Sequence, residues 1–255
     1  MSGGVALAAA APRDVAIRIG VAMTLLQLGI GTVNDLVDAP ADAGRKPGKP
    51  IPAGLVARPS ARAAAAILFA TGLVLAATLG PPMVALSAVV AAIGLAYDLR
   101  LKGTAWSWLP FAVGIPILPV FGWAGATGGL DPLFGVLVPA AVAGGAALAI
   151  ANSLVDVDRD RAADVSSVAV ALGEGRARTL GVVLLVGIVL AATISAAILS
   201  GSPEAALAVG WVGVVPLLAA GLAGPADPAR RELGWRVQAI GLAVLAVVWI
   251  QAVAR

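Results

Sequence analysis

Residues 16–42 read AIRIGVAMTLLQLGIGTVNDLVDAPAD, an almost wholly apolar run that passes directly into Asn34, Asp35, Asp38 and Asp42. A second stretch, residues 132–164 (PLFGVLVPAAVAGGAALAIANSLVDVDRDRAAD), ends the same way, with Asn152, Asp156 and Asp160 each 118 positions after their counterparts Asn34, Asp38 and Asp42. Steps of four place each set along one side of a helix as it leaves an apolar layer. Carboxylates beside a bilayer are costly unless their charge is offset, so duplicated clusters point to a shared cation site.

The rest of the composition fits a chain that lives in lipid. Of 255 residues, 60% are hydrophobic and 12% charged, against about 25% charged for a soluble domain; mean hydropathy is +0.98. Runs long enough to span a bilayer are predicted over 16–33, 61–80, 83–97, 106–124, 132–153, 179–200, 204–223 and 236–254. The expected fold class is therefore all-α, a polytopic membrane bundle of about eight transmembrane helices. A transmembrane barrel needs short alternating segments, which these continuous runs are not.

Basic residues fix the expected topology. Fourteen of the seventeen Lys and Arg fall in four places, 45–62, 100–102, 159–178 and 230–236, and the connections between them carry none. That alternation is the positive-inside pattern, so both acidic stretches are expected on the cytoplasmic side of the cell membrane. It also turns the basic pI, about 9.9, away from nucleic-acid binding. Arg230, Arg231 and Arg236 read as topology and headgroup contacts. The six tryptophans read mostly as interfacial anchors. Residues 1–12 are too short to span; they read as the remnant of a leading ninth helix or as a late start.

The chain has no cysteine and no histidine. Disulfides, thiolate nucleophiles, Ser-His-Asp triads and His-ligated zinc are thereby excluded. Any metal is a hard cation held by oxygen, and any general base is a carboxylate, Tyr, Lys or the substrate. Arg45, Lys46 and Lys49 follow the first acidic set in a loop expected over 39–54. Carboxylates beside clustered cations suit a metal-bound diphosphate, with Mg²⁺ bridging phosphate to Asp and the cations neutralising the remainder. The bland alternative for each cluster is a solvated charged segment whose acids and bases pair. In the second set Asp156, Asp160 and Asp164 recur every fourth position, and 155–176 is expected to prolong the fifth helix before turning back. The segment YDLRLKGT, residues 97–104, adds Tyr97 and Lys102 at the same membrane side, with Lys102 a phosphate ligand or a topology determinant. Pro110, Pro116 and Pro119 predict a bent helix over 106–124, and Gly144 and Gly145 suit close helix packing.

At these residues the chain resembles the UbiA superfamily of intramembrane prenyltransferases. Asn34, Asp35, Asp38 and Asp42 with KPGKPIPAG match its first signature, Asp156 and Asp160 its second, and Tyr97, Leu101 and Lys102 the segment between. The resemblance implies a single integral-membrane domain over 1–255, a nine-helix bundle whose first helix is missing or truncated here. Two pseudo-repeated halves, about 14–124 and 131–255, follow from the 118-residue offset. The resemblance implies that Asn34, Asp38, Asp42, Asp156, Asp160 and Asp164 hold Mg²⁺ and that Arg45, Lys49 and Lys102 bind diphosphate. Ser166 and Ser167 stand where many members carry a basic residue and a hydroxyl.

The expected reaction is Mg²⁺-dependent transfer of a prenyl group from a polyprenyl diphosphate to a small aromatic acceptor of the quinone-precursor type, with release of diphosphate. Asp35 or Asp98 is a candidate base, and Tyr97 completes the candidate catalytic set. The runner-up acceptor is a non-aromatic lipid precursor, phosphoribosyl or glycerol-based, which calls for further cations than the sequence shows as a cluster. A transporter with inverted repeats should carry its acids at mid-span, which this chain does not. No protein partner is evident.

Overall fold

The computed structural model describes residues 1–44, 48–221 and 227–253. In chain order the helices are α1 (Ser2–Ala8), α2 (Arg13–Asp42), α3 (Arg58–Ala77) and α4 (Pro81–Ala96), then a π-helical turn at Tyr97–Leu101. They continue with α5 (Leu109–Thr127), α6 (Phe134–Val155), α7 (Val157–Ala162), α8 (Val168–Leu172), α9 (Glu174–Ser200), α10 (Pro203–Gly221) and α11 (Pro228–Val253). No strand occurs among the described residues. Local chemistry sets the boundaries. Proline opens α4, α10 and α11, where its missing N–H costs nothing. Gly201, at φ 64°, ends α9 in the left-handed conformation that glycine adopts freely.

Among the described residues eight helices are long and apolar enough to cross a membrane, and each predicted span has its counterpart among them. Their outward faces carry bare aliphatic side chains such as Val74, Ile198 and Leu218, each at least two-thirds exposed. In lipid that exposure is favourable; the helices hold together by close packing instead. The protein is a multi-pass membrane protein with a polytopic helical bundle fold.

Two boundaries differ from the prediction. The first span does not stop near residue 33, because α2 runs on through Pro40 to Asp42 and shortens the expected 39–54 loop. The second acidic segment does not prolong its helix. The chain breaks at Asp156 (φ −103°, ψ 8°), makes the short α7, and closes it with Val165 N–H on Asp160 O and Asp164 N–H on Arg161 O. Asp164 sits at φ 54°. That is a Schellman-type stop with aspartate in the left-handed position, which Asp tolerates better than most residues.

The chain divides into two compact units, Met1–Arg100 with Ile117–Gly129, and Leu101–Pro116 with Leu130–Arg255. The change of unit within α5 falls at Pro116, among the prolines that predicted a bend. In the first unit Ile19, Leu26, Met83 and Phe121 form the core, and the short α1 packs against α2. Ser2 Oγ donates to Leu118 O at 2.8 Å, and a Cβ on Gly122 would lie 2.4 Å from Ser2 O.

In the second unit Ile150, Leu154, Val157, Val168 and Ala177 cluster, with Trp108 packed alongside. Two tryptophans are core residues and not interfacial anchors. Trp123 is buried, and Trp249 is buried with its indole N–H donating to Ser195 Oγ at 2.9 Å. Trp106 and Trp211 are exposed, as belt residues are.

Gly145 shows how tight this unit is. A Cβ there would lie 2.2 Å from Phe111 O, a backbone atom, whereas at Gly144 the nearest atom is 3.7 Å away. Gly145→Ala is expected to destabilise the protein by about 1–3 kcal/mol, the usual cost of overpacking. Gly144→Ala should leave stability near its starting value. Thermal unfolding in detergent, read side by side, checks both.

Candidate active site

In the first unit the last turns of α2 carry Asn34, Asp35, Asp38 and Asp42. Asp42 is 7% exposed, while Asn34, Asp35 and Asp38 are half-buried. Lys49 pairs with Asp35, so the lysine expected on diphosphate rests against the expected base. That hydrogen bond holds the ammonium above the usual lysine range; burial opposes it, and the charges of Asp35, Asp42 and Asp38 add to it. Lys49 therefore keeps its charge across the neutral range. Arg45 and Lys46 lie outside the described residues.

Asp98 is buried at 4% exposure in the π-helical turn, and its Oδ1 accepts the Asn34 amide N–H at 2.7 Å. A carboxylate only accepts, so it fixes which end of the amide it meets and leaves Asn34 Oδ1 for another partner. Sequence reasoning singled out both residues but not their pairing, which spans 64 positions. Tyr97 is half-buried in the same π turn, a form of helix common at functional sites.

In the second unit Asp156 marks the break between α6 and α7, and Arg159 Nη2 lies 2.6 Å from its Oδ2. Asp160 is half-buried on α7. Asp164 is exposed beyond its end, so it does not share the face of the other two. Ser153 Oγ accepts the Ala169 N–H at 3.0 Å and ties α8 to α6. Ser167 is buried at the start of α8, with its hydroxyl unbonded, and Ser166 is exposed. The turn after Lys102 passes beside the acidic loop, where a Cβ on Gly103 would sit 3.3 Å from Val165 Cγ1. Lys102 itself is half-buried.

One residue overturns its sequence reading. Arg231 is 3% exposed, with its guanidinium on Leu154 O and Asp158 Oδ2, and so is not a headgroup contact.

The acidic sequences, the eight spans and the basic residue between them together specify one family. A model of the UbiA prenyltransferase family matches residues 1–251. The chain belongs to that family. Among curated relatives, a digeranylgeranylglyceryl phosphate synthase from Methanopyrus kandleri is 32% identical over 210 residues, 80% of this chain and 73% of that one. Another from Methanoregula boonei is 33% identical over 159 residues, 60% of this chain and 55% of the relative, so that match spans about half of its length. A solved UbiA homologue from Archaeoglobus fulgidus, bound to GPP and Mg²⁺, aligns at a TM-score of 0.69 with 16% identity, over 97% of this chain and 94% of the other. The UbiA-type prenyltransferase class expected from the sequence therefore stands.

The donors suit magnesium in kind. Every candidate ligand is a carboxylate or amide oxygen, as a hard cation requires. Among the described residues no three carboxylates gather closely enough to enclose a metal by themselves. Mg²⁺ is usually bound by carboxylates together with substrate phosphates, so it does not require such a cluster.

Proposed function

We propose that this UbiA-family chain transfers a prenyl group from a polyprenyl diphosphate to a glycerol-based lipid precursor, with Mg²⁺ as cofactor and release of diphosphate. Family membership carries the prenyl donor. The acceptor rests on the relatives from Methanopyrus kandleri and Methanoregula boonei, whose names are those of glyceryl phosphate synthases. They favour the runner-up of the sequence reading over the aromatic quinone precursor.

In this reading Asn34, Asp38 and Asp42 of the first acidic set would be metal ligands, as would Asp156 and Asp160 of the second, with Asp164 supporting. Magnesium, when bound, offsets the charge that diphosphate gains as it leaves. Lys49, Lys102 and Arg45 bind the remaining phosphate oxygens. For Lys49 this means exchanging Asp35 for substrate, which leaves Asp35 unpaired at the moment the acceptor must lose a proton. Asp98 orients Asn34 in place of acting as base, and Tyr97 contributes a phenol beside it. The apolar helices hold the prenyl tail and keep water from the allylic carbon as its C–O bond breaks. The acidic loops are placed on the cytoplasmic side by the distribution of basic residues alone.

The test is transfer from a labelled allylic diphosphate with Mg²⁺ to paired acceptors, a prenylglyceryl phosphate and a hydroxybenzoate. Product is expected with the glyceryl phosphate. Product with the hydroxybenzoate alone would return the aromatic reading.

A further inference from the structure

Leu36 and Leu154 stand 118 positions apart, the offset that relates the two acidic sets. In each unit the carbonyl of that leucine accepts a hydrogen bond from an arginine elsewhere in the chain. Arg58 Nη2 donates to Leu36 O at 3.2 Å, and Arg231 Nη1 donates to Leu154 O at 3.2 Å. Both carbonyls lie two residues after the Asn and two before the Asp. The arginines are not counterparts in sequence, since Arg58 opens α3 and Arg231 lies in α11. Two unrelated helices thus serve one register position.

Each carbonyl is available for a local reason. Pro40 has no N–H to offer the carbonyl one turn earlier, which is Leu36 O. Leu154 is among the last four residues of α6, whose carbonyls have no partner within the helix. Neither arginine sits where its charge is otherwise favoured. Arg58 occupies the N-terminal residue of α3, the end of a helix that disfavours cations. Arg231 is 3% exposed, and a buried guanidinium is tolerated only when paired and hydrogen-bonded. Its partners bracket Asp156: Leu154 O two residues before, and Asp158 Oδ2, at 2.9 Å, two residues after. Glu174 Oε1 lies 3.7 Å away on α9, in a carboxylate that Arg178 also binds.

We infer that Arg58 and Arg231 are positioning residues, each gripping the backbone that carries a metal-binding aspartate and so fixing the direction of Asp38 and Asp156. The inference rests on the proposed reading of those carboxylates as the Mg²⁺-diphosphate ligands. Groups that orient ligands without touching the metal commonly account for about 10–100-fold in metal affinity or activity.

The experiment uses the full chain in detergent. The variants are Arg231→Gln, Arg231→Lys, Arg58→Gln and Asp158→Asn, with Asp156→Asn as reference. The readout besides turnover is the rise in unfolding temperature on titrating Mg²⁺ in the presence of geranyl S-thiolodiphosphate. Arg231→Gln is expected to raise the Mg²⁺ midpoint about tenfold or more, with the acceptor KM within about twofold. Arg231→Lys keeps the charge but not the planar guanidinium whose Nη1 reaches both Leu154 O and Asp158, so its midpoint should fall between. Arg58→Gln should shift in the same direction.

Asp158→Asn leaves Arg231 beside Glu174 and keeps a hydrogen-bonding side chain at 158, so it loosens the grip without removing the guanidinium. Its smaller shift should be less than additive with that of Arg231→Gln. An Mg²⁺ response lost in Asp156→Asn but unchanged in Asp158→Asn and Arg58→Gln overturns the inference alone. An Mg²⁺ response intact in Asp156→Asn overturns the carboxylate assignment, and the inference with it.

Discussion

Replacing Asp156 by Asn is expected to lower kcat for prenyl transfer by about 10²–10³-fold, and Asp38→Asn by a similar factor. The magnitude follows from removing one preorganised partner of the charge that develops on the leaving diphosphate, a loss of about 3–4 kcal/mol in a water-poor site. Stability should hardly change at Asp156. Its carboxylate is 42% exposed, and its pair with exposed Arg159 is worth about 0–1 kcal/mol. The two measurements, turnover at saturating Mg²⁺ and thermal unfolding without it, therefore separate chemistry from folding. Asp164→Asn is the internal comparison. Asp164 sits past the end of α7 and exposed, so its replacement should reduce turnover far less than that of Asp156. Full Mg²⁺-dependent turnover in both Asp38→Asn and Asp156→Asn would remove the basis for the proposed site.

The fold was legible because membrane spans are written in composition. An unbroken apolar run of about 20 residues has few structural alternatives in lipid, and all eight such runs became helices. What periodicity could not show was how the acidic segments end. A four-residue step fits a continuous helix through Asp164 equally well. The break at Asp156 and the left-handed turn at Asp164 depend on a guanidinium from α11 and on capping bonds across the loop. Pro40 misled in the opposite sense. Proline usually ends a helix, yet α2 continues past it, with Arg58 on the carbonyl that proline leaves without a donor. Burial was equally hidden. Arg231 and Trp249 carry the residue types of a membrane surface, and the packing of α11 against α6, α9 and α10 puts them inside.

Asp98 is where sequence and structure assign different chemistry to one residue, and kinetics can choose between them. As a base it would have to meet an acceptor proton. In the structure its Oδ1 instead meets the Asn34 amide at 2.7 Å from a buried position. If it orients Asn34, Asp98→Asn should lower kcat/KM by about 10–100-fold, the range for groups that aim a metal ligand. The pH profile should keep its shape while the Mg²⁺ requirement rises. If it is the base, the limb of the profile that reports its ionisation disappears and Mg²⁺ dependence stays put. A swap sharpens the test. In Asn34→Asp two carboxylates would face each other at hydrogen-bonding distance, an arrangement that one of them must relieve by moving or taking a proton. Adding Asp98→Asn puts a donor back opposite an acceptor, so the double variant should be more active than Asn34→Asp alone. A double variant no better than the single one would show that the hydrogen bond is not what Asp98 contributes.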